Sequence, residues 1–423
     1  MTTVPDGAAS IVVQKYGGTS VATAERIRAI AERVALARRD SPRLVVVLSA
    51  MGKTTDGLVA LAHEVSDDPR GREMDLLLAT GEQVSVSLLG LALQHRGIPV
   101  ISLTASQCGI RTDDAFNIAR IESIDTRRIL AELDRKRVVI ITGFQGMTRD
   151  HEVTTLGRGG SDITGAAVAA ALGASVCEIC TDVDGVLSAD PRKVPHALQW
   201  REISYEEAIE MASSGAKVLH PRAAEVCMAY RIPIHVRSSF HDGEGTWIRG
   251  GDEMVMEQAA VVGVSSDRKI AKVTLIDVPD RPGLAAEVFR DLAARAISVR
   301  LVIQGASAEG LGRITFVLDD EYVEGATRLV DDWKSRGLAA AGVVDRAVAK
   351  ISIVGSRLAS TPGLAARMFA VLAREGINID CISSSEMKIA CVIADAHVDE
   401  AVRAVHDEFF PEGTAPQAER PSR

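Results

Sequence analysis

Aromatic residues make up only 4% of the 423-residue chain. A surface that stacks nucleic-acid bases needs several exposed aromatic rings, and a groove for the phosphate backbone needs clustered lysine and arginine. The chain has no basic run, and its formal net charge is −9. These deficits argue against nucleic acid as a partner.

The sequence also lacks long apolar runs and a secretory leader. No apolar run approaches the roughly 20 residues that a membrane-spanning helix needs. The first ten residues lack the basic and apolar regions of a signal peptide. We therefore expect a cytoplasmic protein with no membrane partner. Apolar residues form 47% of the chain, enough for a core in about three domains, followed by a flexible tail at 413–423.

Cysteine is too sparse for a disulfide scaffold, with six residues in the whole chain. Cys177 and Cys180 have the spacing of some zinc and redox sites. No second pair lies near them, and they fall in a strand-like run whose alternate side chains face opposite sides. The preferred interpretation is two buried strand cysteines, and the sequence predicts no metal site held by the protein.

The most distinctive stretch present is the glycine-rich segment from Thr154 to Asp162. It contains three glycines, Arg158 and Ser161, and it leads into an apolar, helix-compatible run. A glycine turn that opens a helix leaves backbone N–H groups unpaired at a positive dipole end, so it attracts anions. The planar guanidinium of Arg158 suits a carboxylate or a phosphate. A loop that only turns the chain would not need this combination.

A second anion-binding loop is predicted near the N-terminus. An apolar strand at 11–16 runs into Gly17-Gly18-Thr19-Ser20, and an amphipathic helix follows from about Ala24 to Arg39. Lys15 precedes the glycines, unlike the lysine of the Walker loop. Its position beside this turn favours a phosphate ligand over a solvated surface charge.

Further apolar strands end in small or polar residues, at 44–48, 138–142 and 176–181. Ligands bind at the carboxyl edge of an open α/β sheet. Helical segments alternate with these strands. The pattern predicts an open, mainly parallel sheet between helices within residues 1–250.

The C-terminal part contains one module twice. Residues 271–289 and 349–369 share a strand, a Pro-Gly turn and a helix, and the copies lie about 80 residues apart, typical of a duplicated small domain. The following pattern completes a ferredoxin-like βαββαβ order. We place the modules at 262–340 and 345–412, the second with an additional strand from 255–264. Such a pair serves dimerisation or ligand sensing, and duplication favours sensing.

Six segments, taken in order, resemble aspartate kinases: 15–20, 49–52, 143–146, 155–162, 181–185 and 215–221. The resemblance runs from about residue 11 to about residue 410, and the two C-terminal modules resemble ACT domains. It implies the amino-acid-kinase fold and ATP-dependent phosphorylation of the L-aspartate β-carboxylate, with Mg²⁺ on the nucleotide. The product, 4-phospho-L-aspartate, enters lysine, threonine and methionine synthesis in the family.

Elementary chemistry agrees with this reaction. An aspartate side chain ionises at a pKa of about 3.9, so the nucleophile needs no general base at neutral pH. The difficulty is to bring a carboxylate against a polyanionic triphosphate, which requires well-placed cations. The resemblance implies that Lys15 and Lys217 provide them, and that Asp162 orients Lys15 or the substrate ammonium group.

The resemblance also assigns binding roles. Arg158 is expected to hold the substrate α-carboxylate and Glu82 the α-ammonium group, although Glu82 alone is equally well read as complementing a helix N-terminus. The full substrate-binding set is Lys53, Thr54, Thr55, Glu82, Arg158, Gly159, Gly160 and Ser161. The nucleotide-binding set is Lys15, Tyr16, Gly17, Gly18, Ser49, Ser161, Cys180, Thr181, Asp182, Val186, Asp190, Pro191, Arg192 and Lys217.

Regulation by lysine or threonine is implied by the ACT-like modules, together with a homodimer or higher oligomer formed through them. The expected effector residues are Asp280, Gln304, Asn378, Ile379, Ser385 and Glu386. The family also has a short ACT-only chain made from an internal start, for which Met254 or Met256 is suitably placed.

The first ACT-like module departs from the family pattern. Arg300 and Arg313 stand where carboxylates are usual, which reverses the charge that an effector ammonium group would meet. In the second module, 355–358 replaces a glycine-richer segment. We therefore expect weakened or altered feedback inhibition. Two alternatives to aspartate kinase stay open: an amino-acid sensor with an inactive kinase domain, and a kinase for another small carboxylate.

Overall fold

The computed structural model describes residues 10–216, 218–250, 260–306 and 310–411. Lys217, Met254 and Met256 and the tail at 413–423 lie outside the described residues. The strands of the N-terminal part are β1 (Ile11–Tyr16), β2 (Arg43–Leu48), β3 (Val100–Leu103), β4 (Ile110–Thr112), β5 (Ile121–Ile124), β6 (Val138–Thr142), β7 (Gln145–Met147), β8 (Val153–Thr155), β9 (Val176–Thr181), β10 (Glu202–Ser204), β11 (Ile234–Ser238) and β12 (Thr246–Arg249).

Eight helices accompany these strands within the described part of residues 10–250. They are α1 (Ala24–Asp40), α2 (Thr54–Val65), α3 (Arg72–Leu78), α4 (Thr80–His95), α5 (Arg127–Asp134), α6 (Gly160–Leu172), α7 (Tyr205–Ser214) and α8 (Pro221–Tyr230). The helix predicted at about 24–39 is α1. Its N-cap is Thr23, whose side chain accepts the backbone N–H of Arg26.

The eight-stranded central sheet has the order β10-β12-β11-β9-β1-β2-β6-β3. All neighbours pair in parallel except β11 and β12. Alternate residues of β2 face opposite layers: Val45 and Val47 pack with α5, α6 and α8, whereas Val46 and Leu48 pack with α1 and α4. Burial on both faces explains the continuous apolar run. The predicted open, mainly parallel sheet between helices is confirmed.

A small sheet, β5-β4-β7-β8, lies at the carboxyl side of β6 and carries the glycine-rich segment. β7 and β8 form an antiparallel pair, and β8 leads into the loop that opens α6. The glycine-rich segment is thus fixed at both ends, by a strand and by a buried helix.

The helical stretch from Arg72 to His95 is long and apolar enough, by length and composition alone, to cross a membrane. Half of its most apolar window is buried inside the protein. Leu89 and Leu93 of this stretch are fully buried against the sheet. Core helices pass the same test, and burial accounts for this composition.

The C-terminal part adds further strands and helices in two groups. In chain order they are β13 (Gly263–Asp267), β14 (Ile270–Pro279), α9 (Leu284–Ala293), β15 (Val299–Ala306), β16 (Leu311–Asp319), α10 (Val323–Ser335), β17 (Ala341–Asp345), β18 (Val348–Val354), α11 (Leu364–Arg374), β19 (Cys381–Ser384), β20 (Lys388–Ala394) and α12 (Val398–Phe409).

The two C-terminal sheets have the same ferredoxin-like order with different strand usage. The first is β15-β16-β14-β17, drawn from one continuous βαββαβ unit. The second is β13-β18-β20-β19, in which β13 takes the place of a final strand. Most of β13 lies after the additional strand predicted at 255–264. Gly283 and Gly363 are the N-caps of α9 and α11 and have φ of 93° and 92°. The two modules therefore share the backbone conformation of this turn as well as its sequence.

The second module packs directly on the kinase domain. Ala189 and Val194 belong to the same apolar cluster as Val264 and Ile351. Trp200 donates its indole N–H to the carbonyl of Val262 at 2.6 Å. The segment that follows β9 is therefore shared between the kinase core and the second module.

Candidate active site

A cavity of about 240 Å³ opens where β1, β2 and β6 end. Parallel strands bring the residues that follow them to one edge, which is where ligands bind in open α/β sheets. The sequence-predicted residues that line the cavity are Lys15, Gly18, Ser49, Thr55, Glu82, Arg158, Gly159, Gly160, Ser161 and Asp162. Both predicted anion-binding loops therefore face one space.

Lys15 and Asp162 form a buried ion pair inside this cavity. The Nζ atom of Lys15 lies 2.6 Å from Oδ1 of Asp162, and their side chains are 10% and 13% exposed. The other carboxylate oxygen accepts the backbone N–H of His220 at 3.1 Å. A Cβ on Gly165 would lie 3.2 Å from the Cβ of Lys15, so this glycine leaves room for the lysine stem. Asp162 is thus the ion-pair partner of Lys15.

The glycine turn before α6 requires its glycines. Gly159 is the N-cap of α6 and has a φ of 68°, a conformation that side chains with a Cβ adopt at a cost. A Cβ at this position would also lie 2.3 Å from the imidazole of His220. The turn is therefore packed against His220, the residue that precedes α8.

Asp75 anchors the strand that leads into this turn, and sequence reasoning missed it. Its buried carboxylate accepts the backbone N–H of Thr155 at 2.8 Å and the Thr155 hydroxyl at 2.6 Å. It also accepts the backbone N–H of Asn117 at 2.9 Å. A lone acidic residue 80 positions before its partner carries no local signal.

Phe144 lines the cavity as well and was not among the predicted site residues. Its φ is 70°, which is uncommon for a residue other than glycine. Its backbone N–H donates to the hydroxyl of Thr164, and its carbonyl accepts the N–H of Leu156. These bonds hold the strained backbone. The sequence feature that could have pointed to Phe144 was its place between glycines at the end of β6.

Arg158 stands at the mouth of the cavity with its side chain 82% exposed. Its guanidinium lies 3.2 Å from the carboxylate of Glu321, which belongs to the first C-terminal module. Arg158, the residue predicted to bind the substrate carboxylate, therefore already contacts a carboxylate of the protein. An exposed pair of this kind is worth at most about 1 kcal/mol, so a substrate carboxylate can displace it.

Glu82 lies on the cavity wall in α4 and is 3% exposed. Its carboxylate accepts the backbone N–H of Ala50 at 3.2 Å and the side-chain amide of Gln145 at 3.2 Å. Burial raises the pKa of Glu82 to about 7, against the smaller opposing effect of these hydrogen bonds. The carboxylate therefore titrates near neutrality, as groups in functional sites often do.

This pKa predicts how binding of an ammonium group depends on pH. Below about pH 7 Glu82 becomes neutral, so kcat/KM for an amino-acid substrate is expected to fall about tenfold per pH unit. Glu82→Gln should bind the substrate weakly at all pH values and remove this limb. Steady-state kinetics between about pH 5.5 and 8.5 measures both. An unchanged acid limb in Glu82→Gln would contradict the assignment.

The raised pKa of Glu82 also predicts how stability depends on pH: the free energy of unfolding falls with rising pH, whereas kcat/KM rises. Because the pKa of Glu82 is higher in the folded chain than its usual 4.5, the free energy of unfolding falls as pH rises from about 4.5 to 7. Glu82→Gln removes the buried charge. Above pH 7 its free energy of unfolding, measured by denaturant titration, should therefore exceed that of the wild type by up to a few kcal/mol.

Other predicted residues lie beside the cavity or away from it. Lys53 and Thr54 adjoin Gly52 and Thr55, which line it, and Gly17 follows β1. The side chains of Tyr16, Cys180 and Val186 are buried in the core, so only their backbone atoms can face a ligand there. Asp190 holds Arg192 through two contacts of 2.9 and 2.7 Å. Thr181, Asp182 and Pro191 complete this predicted nucleotide segment, and Lys217 lies outside the described residues.

Comparisons with known proteins identify the fold and its relatives. A model of the amino acid kinase family matches residues 10–238, and ACT domain models match residues 272–336 and 351–409. The chain is 45% identical over 404 residues to an aspartokinase of Mycolicibacterium smegmatis, covering 95% of this chain and 96% of that relative. It is also 45% identical over 403 residues to an aspartokinase of Thermus thermophilus, covering 95% and 98%.

Solved structures agree with these relatives. Aspartokinase III of E. coli in complex with aspartate and ADP, in the R-state, has a TM-score of 0.79 and 28% identity, covering 95% of this chain and all of that one. The same enzyme with lysine and aspartate, in the T-state, has a TM-score of 0.71 and 27% identity, covering 95% and 99%.

The mainly parallel sheet, the cavity lined by both glycine-rich loops and the paired ACT modules are the features of a regulated kinase of small carboxylates. With relatives at 45% identity over 95% of its length, the chain belongs to the aspartokinases of the amino acid kinase family.

Proposed function

We propose that this chain transfers the γ-phosphoryl group of ATP to the β-carboxylate of L-aspartate and forms 4-phospho-L-aspartate. The observation that carries the proposal is that Lys15 and Arg158 line the same cavity. Two anions that repel each other need cations on both sides of the space in which they meet. The family relationship supports aspartate and ATP as those anions.

The residues of the cavity suit separate parts of the reaction. Lys15, held by Asp162, is placed to balance the charge that develops on the transferring phosphoryl group. The first residues of α6 also line the cavity, so the positive end of the helix dipole lies on the same side. Arg158 and Glu82 carry charges opposite to those of the α-carboxylate and the α-ammonium group. Holding both ends of the substrate fixes its β-carboxylate in line for attack.

Mg²⁺ would arrive with the nucleotide. The two carboxylates that line the cavity are Asp162, which is paired with Lys15, and Glu82, which is buried in the wall. They leave the phosphates and water as its main ligands, which is the usual mode for Mg²⁺. When bound, Mg²⁺ neutralises part of the triphosphate charge.

Trapping of the acyl phosphate with hydroxylamine tests the reaction. Purified full-length chain with Mg·ATP should form a hydroxamate with L-aspartate and much less with L-glutamate, N-acetylglutamate or succinate. Equal rates with another acid would reassign the substrate. No hydroxamate with any acid, from a folded chain that binds nucleotide, would favour a sensor with an inactive kinase domain.

Altered feedback control is part of the proposal. Arg300 contacts Asp267 at 2.9 Å and Asp319 at 2.6 Å, so it joins the two ACT modules instead of facing an effector. Arg313 is exposed on β16. Saturating lysine plus threonine is expected to leave most of the activity, whereas Arg313→Asp should increase inhibition. Strong inhibition of the wild type at low effector concentration would refute this.

Assembly and location follow from the same relationship. β15 and β19 form edges of the two ACT sheets, and unpaired sheet edges favour pairing with another chain. We propose a cytoplasmic homodimer or higher oligomer built on these modules. The effector residues Asp280, Gln304, Asn378, Ile379, Ser385 and Glu386 and the short ACT-only chain remain predictions.

A further inference from the structure

A cluster of two histidines and one aspartate lies where the kinase domain meets the second ACT module, away from the active-site cavity. His196 belongs to the segment after β9, and His406 and Asp407 belong to the last turn of α12. Their candidate ligand atoms all lie within 4.8 Å of one another. His196 is more than 200 positions from the other two residues, so no sequence spacing could reveal the cluster.

The geometry brings the three side chains to a common point. Nε2 of His196 is 2.8 Å from Oδ1 of Asp407, and Nδ1 of His406 is 3.5 Å from the same oxygen. The two imidazole rings are 5.2 Å apart in a T-shaped arrangement. Two nitrogen atoms and one oxygen atom therefore converge from two different domains.

His406 supplies the observation that points to a ligand. Its side chain is fully buried, and its Nδ1 forms no hydrogen bond of good geometry among the described residues, with only the 3.5 Å approach to Asp407. Its Nε2 contacts the hydroxyl of Ser188 at 2.9 Å. An unpartnered buried polar atom costs about 1–3 kcal/mol. A cation at Nδ1 would remove that cost.

The contact with Ser188 is compatible with the ring form that binds metal. The Ser188 hydroxyl accepts the backbone N–H of Leu198 at 2.8 Å. When Nε2–H donates to the same oxygen, the lone pair of Nδ1 is directed at the cluster. Such outer hydrogen bonds orient metal-bound histidines in general. Burial lowers the pKa of His406, which favours the neutral ring that a metal requires.

We propose that His196, His406 and Asp407 bind a divalent transition-metal ion of the Zn²⁺ class at the junction of the kinase domain and the second ACT module. Imidazole nitrogen with one carboxylate is a ligand set for Zn²⁺, whereas Mg²⁺ and Ca²⁺ prefer oxygen ligands throughout. His196 and Asp407 are about half exposed, so water can complete a tetrahedral shell.

The bound ion would link two segments that are already in contact. Lys193 pairs with Asp399 at 2.9 Å across the same junction, and Asp190 and Arg192 of the predicted nucleotide segment lie a few residues before His196. The ion therefore fixes helix α12 to the chain that follows β9. We expect it to stabilise the junction between regulatory and catalytic parts.

Titration of the EDTA-treated full-length chain with Zn²⁺ alone, without nucleotide, tests the site. Calorimetry should give one ion per chain at this site. Co²⁺ should give the visible absorption bands of a tetrahedral site, displaced by Zn²⁺. His196→Ala and Asp407→Asn each remove one ligand at an exposed position, so both should fold. Each is expected to weaken binding at least about tenfold, the loss that even an outer-shell change produces.

His397→Ala is the matched control, because His397 is a half-exposed histidine at the other end of α12. It should bind Zn²⁺ as the wild type does. Three results would overturn the proposal: no Zn²⁺ binding by the wild type, unchanged affinity in His196→Ala and Asp407→Asn, or an equal loss in His397→Ala. Each measurement is independent of kinase activity, so the site can fail without affecting the proposed function.

Discussion

Replacing Lys15 by methionine is expected to lower kcat about 10²–10³-fold with a small change in the KM for aspartate. The reason is that a cation placed against developing charge in a site shielded from water contributes about 3–4 kcal/mol to the transition state. Lys15 is 8% exposed and lies in the cavity that both anions share. Methionine keeps the length and the apolar stem, so the change removes mainly the charge.

A folding control is needed because Lys15→Met leaves Asp162 unpaired. A buried carboxylate that loses its partner destabilises the fold by about 3–5 kcal/mol. Lys15→Met with Asp162→Asn removes both charges and should recover stability but not activity. Lys334→Met, at an exposed lysine of the first ACT module, should behave as the wild type. Recovery of kcat in the double variant would show that Lys15 acts through structure alone.

The sequence could predict the residues that one segment brings together. Lys15 and Gly18 are three positions apart, and Arg158, Ser161 and Asp162 share one turn of chain. Strand ends in a parallel sheet meet at one edge, which places the Lys15 loop there. The Arg158 loop follows β8 of the small sheet, so its position opposite Lys15 depends on how that sheet packs. The repeated Pro-Gly turns predicted the two ACT modules for the same local reason.

What the sequence could not predict depends on long-range placement. Asp75 meets Thr155 across 80 positions, and Glu321 meets Arg158 across 163. An additional strand of the second module was predicted at 255–264, whereas β13 spans Gly263–Asp267, so most of this strand was missed. These contacts depend on how whole domains pack, which no periodicity or spacing records.

Domain packing also explains why the two arginines of the predicted charge reversal in the first ACT module have different surroundings in the structure. From sequence, Arg300 and Arg313 look equivalent, since each replaces a carboxylate of the family pattern. In the structure Arg300 lies between Asp267 and Asp319, and its charge is balanced there. The two arginines therefore need separate tests, which is why Arg313 alone is the residue to change.

Replacing Arg158 by alanine is expected to raise the KM for aspartate about 100-fold, with a smaller effect on the KM for ATP. A hydrogen-bonded contact to a charged group is worth up to about 3 kcal/mol, and about 1.4 kcal/mol corresponds to a factor of ten. Arg158→Lys should recover little of this, because an ammonium group lacks the planar fork that matches a carboxylate. Arg149→Ala, at an exposed arginine outside the cavity, is the control.

Glu321 makes this prediction sharper, because its carboxylate competes with the substrate for the same guanidinium. Glu321→Gln removes the competing charge and should lower the KM for aspartate, by at most about fivefold since exposed ion pairs contribute up to about 1 kcal/mol. In the Arg158→Ala background the same change should have no effect, because the contact no longer exists. Initial-rate measurements on the four combinations form a double-mutant cycle that isolates the pair. If Glu321→Gln lowered the KM equally with and without Arg158, the first ACT module would act on the substrate site by another route.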